Sequence, residues 1–416
     1  MTDTTLRSRA APGAISAKPD AYPSTAASVI LAIVGSYIVL KPYYVLPSGL
    51  PQIGDLMLIA ALPFALLLPD RCRSEFQNRF KFSMLVFCAY AALVNIGWAF
   101  ALMEPRMAMG ATYYAFNLSL MIIVLRIGFL HPKATLLTIA SAVTVSAGLQ
   151  AVSVGLTYDA GRLRQIASFN NPNQLGYWSL LSLCLLWSAS LCVRIRWYVQ
   201  APAVVCLIYT AAASLSKSAL ISIAILCLLH FIKTPKLILL GLVALVPVYF
   251  LMGDSMLAER VTGRLQGIGE QQDDTLTSRG YVRILQNPEY ALVGAGEGAE
   301  YRFSDPGIGE HVDVDHEIHS TFGTIVFSYG IIGTIAFAVA VWCLYKMSYR
   351  GSFLYLFPPF LYGLTHQGLR FSFLWLLMAA IIVVGSAGLG QRSAEEVRRE
   401  AKQQRPVTQD RRGGAR

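Results

Sequence analysis

Long apolar segments alternate with short polar connections through most of this 416-residue chain. About 20 apolar residues are needed to cross the hydrocarbon core of a bilayer as a helix. The pattern therefore predicts an all-α, polytopic integral membrane protein with about twelve transmembrane helices. The predicted spans are 26–44, 53–68, 82–102, 112–130, 134–156, 175–193, 201–215, 219–231, 237–252, 321–345, 352–364 and 371–389.

One connection is much longer than the others and divides the chain into five parts. The predicted parts are a polar tail at 1–25, nine spans at 26–252, a large loop at 253–320, three spans at 321–389 and a basic tail at 390–416. The eleventh span is the weakest, because it is short and contains Pro358 and Pro359. Without it, the arginine-rich tail would have to cross the membrane, so we retain it.

Composition supports the membrane class. Hydrophobic residues make up 55% of the chain and charged residues only 14%, whereas soluble domains carry about 25% charged residues. The first 23 residues are polar and lack the apolar core of a signal peptide. The seven cysteines lie in predicted spans or in one short loop, where we expect packing rather than disulfides or zinc binding.

The distribution of charge predicts the orientation. Basic residues concentrate in alternate connections and in both tails, which the positive-inside rule assigns to the cytoplasm. The stretch 253–317 instead carries 13 acidic and five basic residues and is predicted to lie outside. The net charge of +10 therefore reflects topology, and we do not expect binding of nucleic acid.

Several cations are predicted on the outer side, against the positive-inside bias. Arginine offers a planar fork of donors that suits phosphate oxygens, so one interpretation is a diphosphate site. The ordinary alternative is interfacial anchoring or ion pairing with loop acids. The residues concerned are Arg162, Arg164, Lys217, Arg279, Arg283, His366 and Arg370.

Two of these arginines adjoin predicted helix starts. Arg164 precedes a turn in which Asn171 and Asn173 can cap the sixth span. Arg279 follows a Thr/Ser-rich capping sequence and begins a predicted short helix that stops near Asn287. Its apolar face would be formed by Tyr281, Ile284 and Leu285. Helix N-termini attract anions, so the pair predicts a diphosphate clamp.

The segment HVDVDHEIHS places three histidines among three acids just before the tenth span. Alternating His and Asp can bind a divalent cation, or one histidine can act as a general base; a purely structural role is the third alternative. His319 is the better base because it lies directly before the first residue of a predicted span, and His316 would be a substrate contact.

A glycine-rich stretch precedes this segment. Gly294, Gly296 and Gly298 lack the flanking strand and helix of a nucleotide site, so they predict a flexible turn.

Three stretches together resemble the O-antigen ligase and polysaccharide polymerase superfamily of bacterial membrane proteins. They are RQIASFNNPNQLGYW, SRGYVRILQNPEYALVGAGEG and HSTFGTIVFSYGIIGTIAF, and their order and spacing match the predicted topology. The resemblance covers most of the chain. Two positions depart from the family pattern: Ala167 replaces a frequent glycine, and Ser320 replaces the usual asparagine after the histidine.

The resemblance implies a GT-C-like helical fold and an inverting, metal-independent glycosyltransferase without a cofactor. The donor would be a glycan on undecaprenyl diphosphate, used at the periplasmic face of the bacterial inner membrane, with both termini cytoplasmic. Arg164 and Arg279 would hold the diphosphate, and His319 would take the acceptor proton. The remaining candidates for substrate binding are Asn171, Asn173, Lys217, Arg283, His316 and Arg370.

The acceptor is left open by the sequence. A polymerase would extend a second lipid-linked glycan, whereas a ligase would transfer the chain to lipid A-core. Either enzyme would associate with other polysaccharide assembly or export proteins. We favour the polymerase. A transporter or flippase is the alternative from another class, and it predicts charges at mid-depth or inverted repeats, of which few signs are visible.

Overall fold

A computed structural model describes residues 23–46, 51–72, 74–157, 159, 164–232, 234, 279–303 and 317–403, with side chains through residue 388 apart from residue 301. Within these ranges the chain is helical and contains no β-strand, so the all-α class is confirmed. The predicted ninth span, most of the large loop and both chain ends lie outside the described residues.

The helix bounds follow the predicted spans closely. The helices are α1 (Thr25–Leu40), α2 (Ile53–Leu67), α3 (Glu75–Ala101), α4 (Arg106–Leu130), α5 (Pro132–Leu156), α6 (Pro172–Ser190), α7 (Trp197–Ser214), α8 (Lys217–Phe231), α9 (Val282–Gln286), α10 (Thr321–Met347), α11 (Phe357–Tyr362) and α12 (Ser372–Gln403). Short 3₁₀ turns occupy Pro288–Tyr290, Glu300–Arg302 and Ser352–Leu356.

Among the described helices, α3, α4, α5, α7 and α10 are long and apolar enough to cross a membrane. Several shorter helices are apolar as well, including α1, α2 and α8. Large apolar side chains such as Phe82, Leu93 and Phe100 point outward and are mostly exposed, as expected for surfaces that face lipid. These lengths indicate a helical membrane protein but do not establish the predicted count of twelve spans.

Capping side chains fix several helix starts. Ser24, Ser74, Asn171 and Ser320 each accept a hydrogen bond from a backbone N–H of the first turn. At Ser74 the bond is reciprocal, because the Gln77 side chain accepts from the Ser74 N–H. Such caps satisfy N–H groups that have no partner within the helix, which matters most where no water is present.

The centre of the bundle consists of α6 and α12. Every residue from Leu175 to Ala189 and from 372 to 388 is buried. Small residues allow this close packing: a Cβ added at Gly385 would lie 2.3 Å from the Met347 carbonyl, and one at Gly128 would meet Val383 at the same distance. The two central helices are therefore enclosed by their neighbours over these stretches.

The eleventh predicted span is a 3₁₀ turn followed by the six-residue α11, which is much shorter than a full span. It nevertheless runs antiparallel to α8 over the length of that helix. Tyr355 hydrogen-bonds His230 near one end of α8 (2.9 Å), and Thr365 hydrogen-bonds Ser218 near the other (2.8 Å). The segment thus returns the chain from the Met347 end of the bundle to the Thr321 end.

Helix α10 is kinked at Gly330, whose φ of 58° and ψ of −163° are not helical. The kink frees backbone groups that a regular helix would pair internally. The segment after α9 pairs them instead: Ala295 N–H donates to Phe327 O (2.9 Å), and Gly296 N–H donates to Ser328 O (3.0 Å). In return, Ile331 N–H donates to Ala291 O (2.8 Å).

The glycines of this segment are required by the close approach of its backbone to α10. A Cβ at Gly294 would lie 2.3 Å from Ser328 O, and Gly294, Gly296 and Gly298 all have positive φ. Gly294 to Glu297 are buried. The expectation of a flexible turn was wrong, because these glycines form a buried loop inserted between α3, α4 and α10.

The last helix continues beyond its predicted end. Helix α12 runs to Gln403, so the first part of the basic tail is helical. The rest of the tail lies outside the described residues.

Candidate anion site at three helix N-termini

The N-termini of α6, α8 and α10 meet around one short segment, residues 362–366. Tyr362 donates to the Asn173 carbonyl at the start of α6 (3.1 Å). Ser218 in the first turn of α8 hydrogen-bonds Thr365 (2.8 Å), and the Thr321 N–H at the start of α10 donates to Gly363 O (2.8 Å). Each terminus carries a partial positive charge, so their convergence favours an anion.

Direct packing of α6 against the turn before α8 brings two of these termini together. A Cβ at Gly176 would lie 2.8 Å from Ser214 Oγ and 3.0 Å from Ser216 Cβ. The glycine is therefore needed where the two chains touch. Lys217 is the first residue of α8 and is half-buried at this junction. The lysine predicted to bind the substrate therefore lies where α6 and α8 meet.

Arg164 is oriented by two hydrogen bonds at the entrance to α6. Its Nε donates to the Ser214 carbonyl (3.0 Å) and its Nη2 to Asn173 Oδ1 (2.5 Å). Asn171, as predicted, caps α6, with its Oδ1 accepting from the Asn173 N–H (2.7 Å). The two asparagines therefore have different roles: Asn171 caps the helix, and Asn173 holds the arginine.

Ala167, in the same loop, has a left-handed φ of 49°. This conformation is costly for a residue with a Cβ and favours glycine. The glycine that the resemblance places at this position is therefore the residue that the backbone geometry prefers.

Arg279 lies beside His319. The His319 N–H donates to the Arg279 carbonyl (3.2 Å), and Gly280, with φ of 75°, packs against Ile318. The predicted helix begins later than expected, at Val282, and ends at Gln286 near the predicted stop. The His319 side chain is exposed and Arg279 is half-buried, so the imidazole is accessible beside the start of α10.

Both predicted clamp arginines lie near one phenol. The positive charges of Arg164 and Arg279 act electrostatically on the Tyr362 hydroxyl. Sequence separation gives no hint of this, because the two arginines belong to different loops. Tertiary packing brings together Arg164, Arg279 and His319, the three residues that the sequence proposes for catalysis.

Ser320 performs the capping role expected of an asparagine at its position. Its Oγ accepts from Gly323 N–H (3.0 Å) and donates to Gly363 O (3.1 Å). The Tyr281 hydroxyl lies 2.5 Å from the same Oγ and donates to Leu364 O (2.6 Å). The departure from the family pattern thus leaves the start of α10 capped and tied to residues 363–364.

Three stacked rings connect α6 with this segment. Tyr177 stacks on Tyr362 with ring centroids 4.2 Å apart, and Tyr362 stacks on His366 at 4.6 Å. His366 Nδ1 also hydrogen-bonds Thr365 Oγ1 (2.9 Å). The sequence indicated His366 only as one of the outer cations and did not single out Tyr362. An aromatic residue just before the polar THQ stretch was the available signal.

Arg283, predicted to contact the substrate, is engaged elsewhere. Arg283 is buried beneath Phe303, with its guanidinium carbon 5.9 Å from the ring centroid. Leu285, expected on the apolar face of the short helix, is 83% exposed. The predicted apolar face is therefore wrong for Leu285, which points outward, whereas Ile284 packs against the cluster of Ala295, Ile318 and Phe327.

Arg370 bridges two carboxylates. Its Nε donates to Glu297 Oε2 (2.5 Å), and its Nη1 donates to Glu317 Oε1 (2.7 Å). Burial acts to lower the pKa of Arg370, but the two facing carboxylates outweigh it and raise the pKa above the usual arginine value. This is the ion pairing that the sequence had left as the alternative to phosphate binding.

Glu297 is the centre of a buried polar network that sequence reasoning missed. The carboxylate accepts hydrogen bonds from Tyr114 (2.5 Å), Tyr329 and Arg370, and its N–H donates to Asn95 Oδ1 (2.8 Å). Only 2% of Glu297 is exposed. The single charge in the sequence GAGEG was the available signal, since an acid among buried glycines must have partners.

His316, Asp313 and Asp315 lie outside the described residues, as does Arg162, whereas Glu317 is described and pairs with Arg370. Within the described ranges, no group of three histidine, cysteine, aspartate or glutamate side chains is arranged to hold a metal ion. The cation-binding interpretation of HVDVDHEIHS is therefore untested, because most of its histidines and acids lie outside the described ranges.

No protein-family model matches this chain, and no similar curated protein was found. The family resemblance therefore rests on the sequence stretches themselves. What the geometry adds is the arrangement of cationic groups and helix termini, which is suited to binding a multivalent anion beside an exposed imidazole.

Proposed function

We propose that the protein is a membrane glycosyltransferase of the O-antigen ligase and polymerase type, acting on a glycan carried by undecaprenyl diphosphate. The observation that carries the proposal is the convergence of three helix N-termini with Arg164, Arg279 and His319. A diphosphate attached to a lipid is a multivalent anion held at the membrane surface. Helix termini and arginine forks are the groups that proteins use to bind such anions.

The reaction assigns one role to each group. The acceptor hydroxyl attacks the anomeric carbon with inversion, and its oxygen forms the new glycosidic bond. The bond from that carbon to the diphosphate breaks, and its electron pair leaves with the diphosphate. Arg164 and Arg279 stabilise the charge that develops there, while His319 takes the proton from the attacking hydroxyl.

The proposal includes a topology. The chain would cross the bacterial inner membrane about twelve times, with both termini in the cytoplasm and the 253–320 loop in the periplasm. The basic ends of the helices would then face the cytoplasm, and the anion site would face the periplasm. We propose the polymerase reaction, in which the acceptor is a second lipid-linked glycan. Transfer to lipid A-core is the alternative.

The central test uses purified protein in vesicles with a polyprenyl-diphosphate-linked glycan as substrate. His319→Ala is expected to lower the transfer rate by about 10²–10⁴-fold, the usual contribution of a general base. Arg279→Lys keeps the charge but loses the fork, and we expect a rate loss of about tenfold or more. Arg106→Lys, an exposed arginine at the start of α4, is the matched control.

Wild-type rates for both site variants would remove these residues from the mechanism. The acceptor is identified separately, by profiling polysaccharide and lipid-linked intermediates in a deletion strain. Single repeat units without long chains would indicate a polymerase. Long chains retained on the carrier, with bare core, would indicate a ligase, and an unchanged profile would favour a transporter.

A further inference from the structure

A second polar cluster lies in a groove between α2, α3 and α4. The groove encloses about 300 Å³, and Asp70, Lys81 and Arg126 line one part of it. Its walls are apolar and include Leu85, Leu118 and Ile122. Nothing in the proposed glycosyl transfer uses this region.

The groove lies at the opposite end of the bundle from the anion site. Ser74, at the start of α3, donates a hydrogen bond to Met347 at the end of α10 (3.1 Å between Oγ and Sδ). The anion site adjoins Thr321, at the start of the same 27-residue helix. With a rise of about 1.5 Å per residue, the two helix ends are roughly 40 Å apart along the chain path. The two sites therefore face different membrane surfaces.

The polar part of the groove has an excess positive charge. Lys81 Nζ lies 2.5 Å from Asp70 Oδ2, and Arg126 Nη2 lies 3.8 Å from the same oxygen. Burial acts to raise the pKa of Asp70, but its bonds to Lys81 and Cys72 outweigh this and lower the pKa. The carboxylate is therefore ionised near neutral pH, and two cations share one anion.

The apolar part of the groove extends along α4. Leu118 and Arg126 are eight residues apart in one helix, which corresponds to roughly 12 Å. Phe82, at the edge of the groove, is 66% exposed, so the groove opens towards the surrounding lipid. A ligand that fits must present one negative charge to Lys81 and Arg126 and an aliphatic chain to the α4 wall.

We propose that this groove binds an anionic phospholipid, with its phosphodiester at Lys81 and Arg126 and one acyl chain between α3 and α4. A singly charged phosphodiester balances the excess charge of the cluster. A zwitterionic phospholipid adds an ammonium group beside the same two cations and is disfavoured. Basic pockets between transmembrane helices are a known way to hold anionic head groups.

The test is a lipid titration of the detergent-solubilised full-length protein, followed by native mass spectrometry. Phosphatidylglycerol and phosphatidylcholine with identical acyl chains are the probes. The wild-type protein is expected to retain phosphatidylglycerol selectively. Lys81→Gln leaves Asp70 paired with Arg126 and should weaken that binding about fivefold, which is typical for one basic residue near a lipid surface.

Two further variants decide between a built groove and general surface charge. Arg79→Gln, two residues from Lys81 but 61% exposed and paired with Glu75, should leave binding unchanged. Ile122→Trp fills the apolar wall and should reduce phosphatidylglycerol binding without altering charge.

Three results would overturn the proposal. The first is equal binding of the two phospholipids. The second is a loss of phosphatidylglycerol binding in Arg79→Gln as large as that in Lys81→Gln. The third is displacement of phosphatidylglycerol by equimolar polyprenyl phosphate. The measurement involves no glycosyl transfer, so its outcome is independent of the proposed enzymatic function.

Discussion

Replacing Glu297 with glutamine keeps the shape of the side chain but removes the charge at the centre of the Asn95–Tyr114–Tyr329–Arg370 network. The carboxylate is 2% exposed and accepts from two tyrosines and an arginine. Removing one partner of a buried ion pair usually costs about 3–5 kcal/mol, because the other charge is left uncompensated. Arg370 retains Glu317 and is 23% exposed, so we expect about 3 kcal/mol.

The matched control is Glu317→Gln, which removes the other carboxylate that contacts Arg370. The Glu317 side chain is 36% exposed, and exposed ion pairs contribute only about 0–1 kcal/mol. Unfolding of both variants in detergent is followed by tryptophan fluorescence, and the two losses of stability are compared.

A double variant, Glu297→Gln with Arg370→Gln, tests whether the cost comes from the unpaired charge. Removing both charges should cost less than the sum of the single changes, since no isolated cation remains. Equal destabilisation by Glu297→Gln and Glu317→Gln, or strict additivity in the double variant, would refute the assignment of Glu297 as the buried anchor of the loop.

Other predictions concern single backbone positions. Ala167→Gly should stabilise the protein by about 0.5 kcal/mol, because the strain energy relieved at the left-handed position exceeds the cost of the added chain entropy. The control, Ala134→Gly in α5, should destabilise the protein by about 1 kcal/mol. A loss of stability in Ala167→Gly would contradict the argument. Gly294→Ala should destabilise strongly, since the new methyl would lie 2.3 Å from Ser328 O, whereas Gly148→Ala, with nothing within 4 Å, should be neutral or stabilising. Thermal unfolding midpoints in detergent measure all four, and similar effects for Gly294→Ala and Gly148→Ala would show that the glycine loop does not pack as described.

Local sequence patterns predicted the helices well for a simple reason. Within lipid, backbone groups must be paired inside the segment, so an apolar run of sufficient length becomes a helix whatever its neighbours are. The eleventh segment is the exception. Pro358 and Pro359 and the short apolar run predict a weak span, and the structure replaces a regular helix with a 3₁₀ turn and α11.

The glycine loop could not be predicted because its conformation depends on α10. Gly294 and Gly296 are separated from Gly330 by more than thirty residues, and the loop is ordered by the backbone groups that the kink at Gly330 releases. A polar, glycine-rich sequence ordinarily indicates a flexible turn. Only the pairing with Phe327 and Ser328 shows why this one is buried.

The helical class, most helix positions and the residue types suited to anion chemistry could be predicted from the sequence, because apolar length, caps and charge are local properties. Which of the cations share a site depends on the packing of the helices and loops. That packing places Arg164 and Arg279 near Tyr362, pairs Arg370 with two carboxylates and buries Arg283. Charged side chains that are far apart in the chain approach one another only when the helices and loops pack. The role of each lysine or arginine therefore depends on which side chains the fold places beside it.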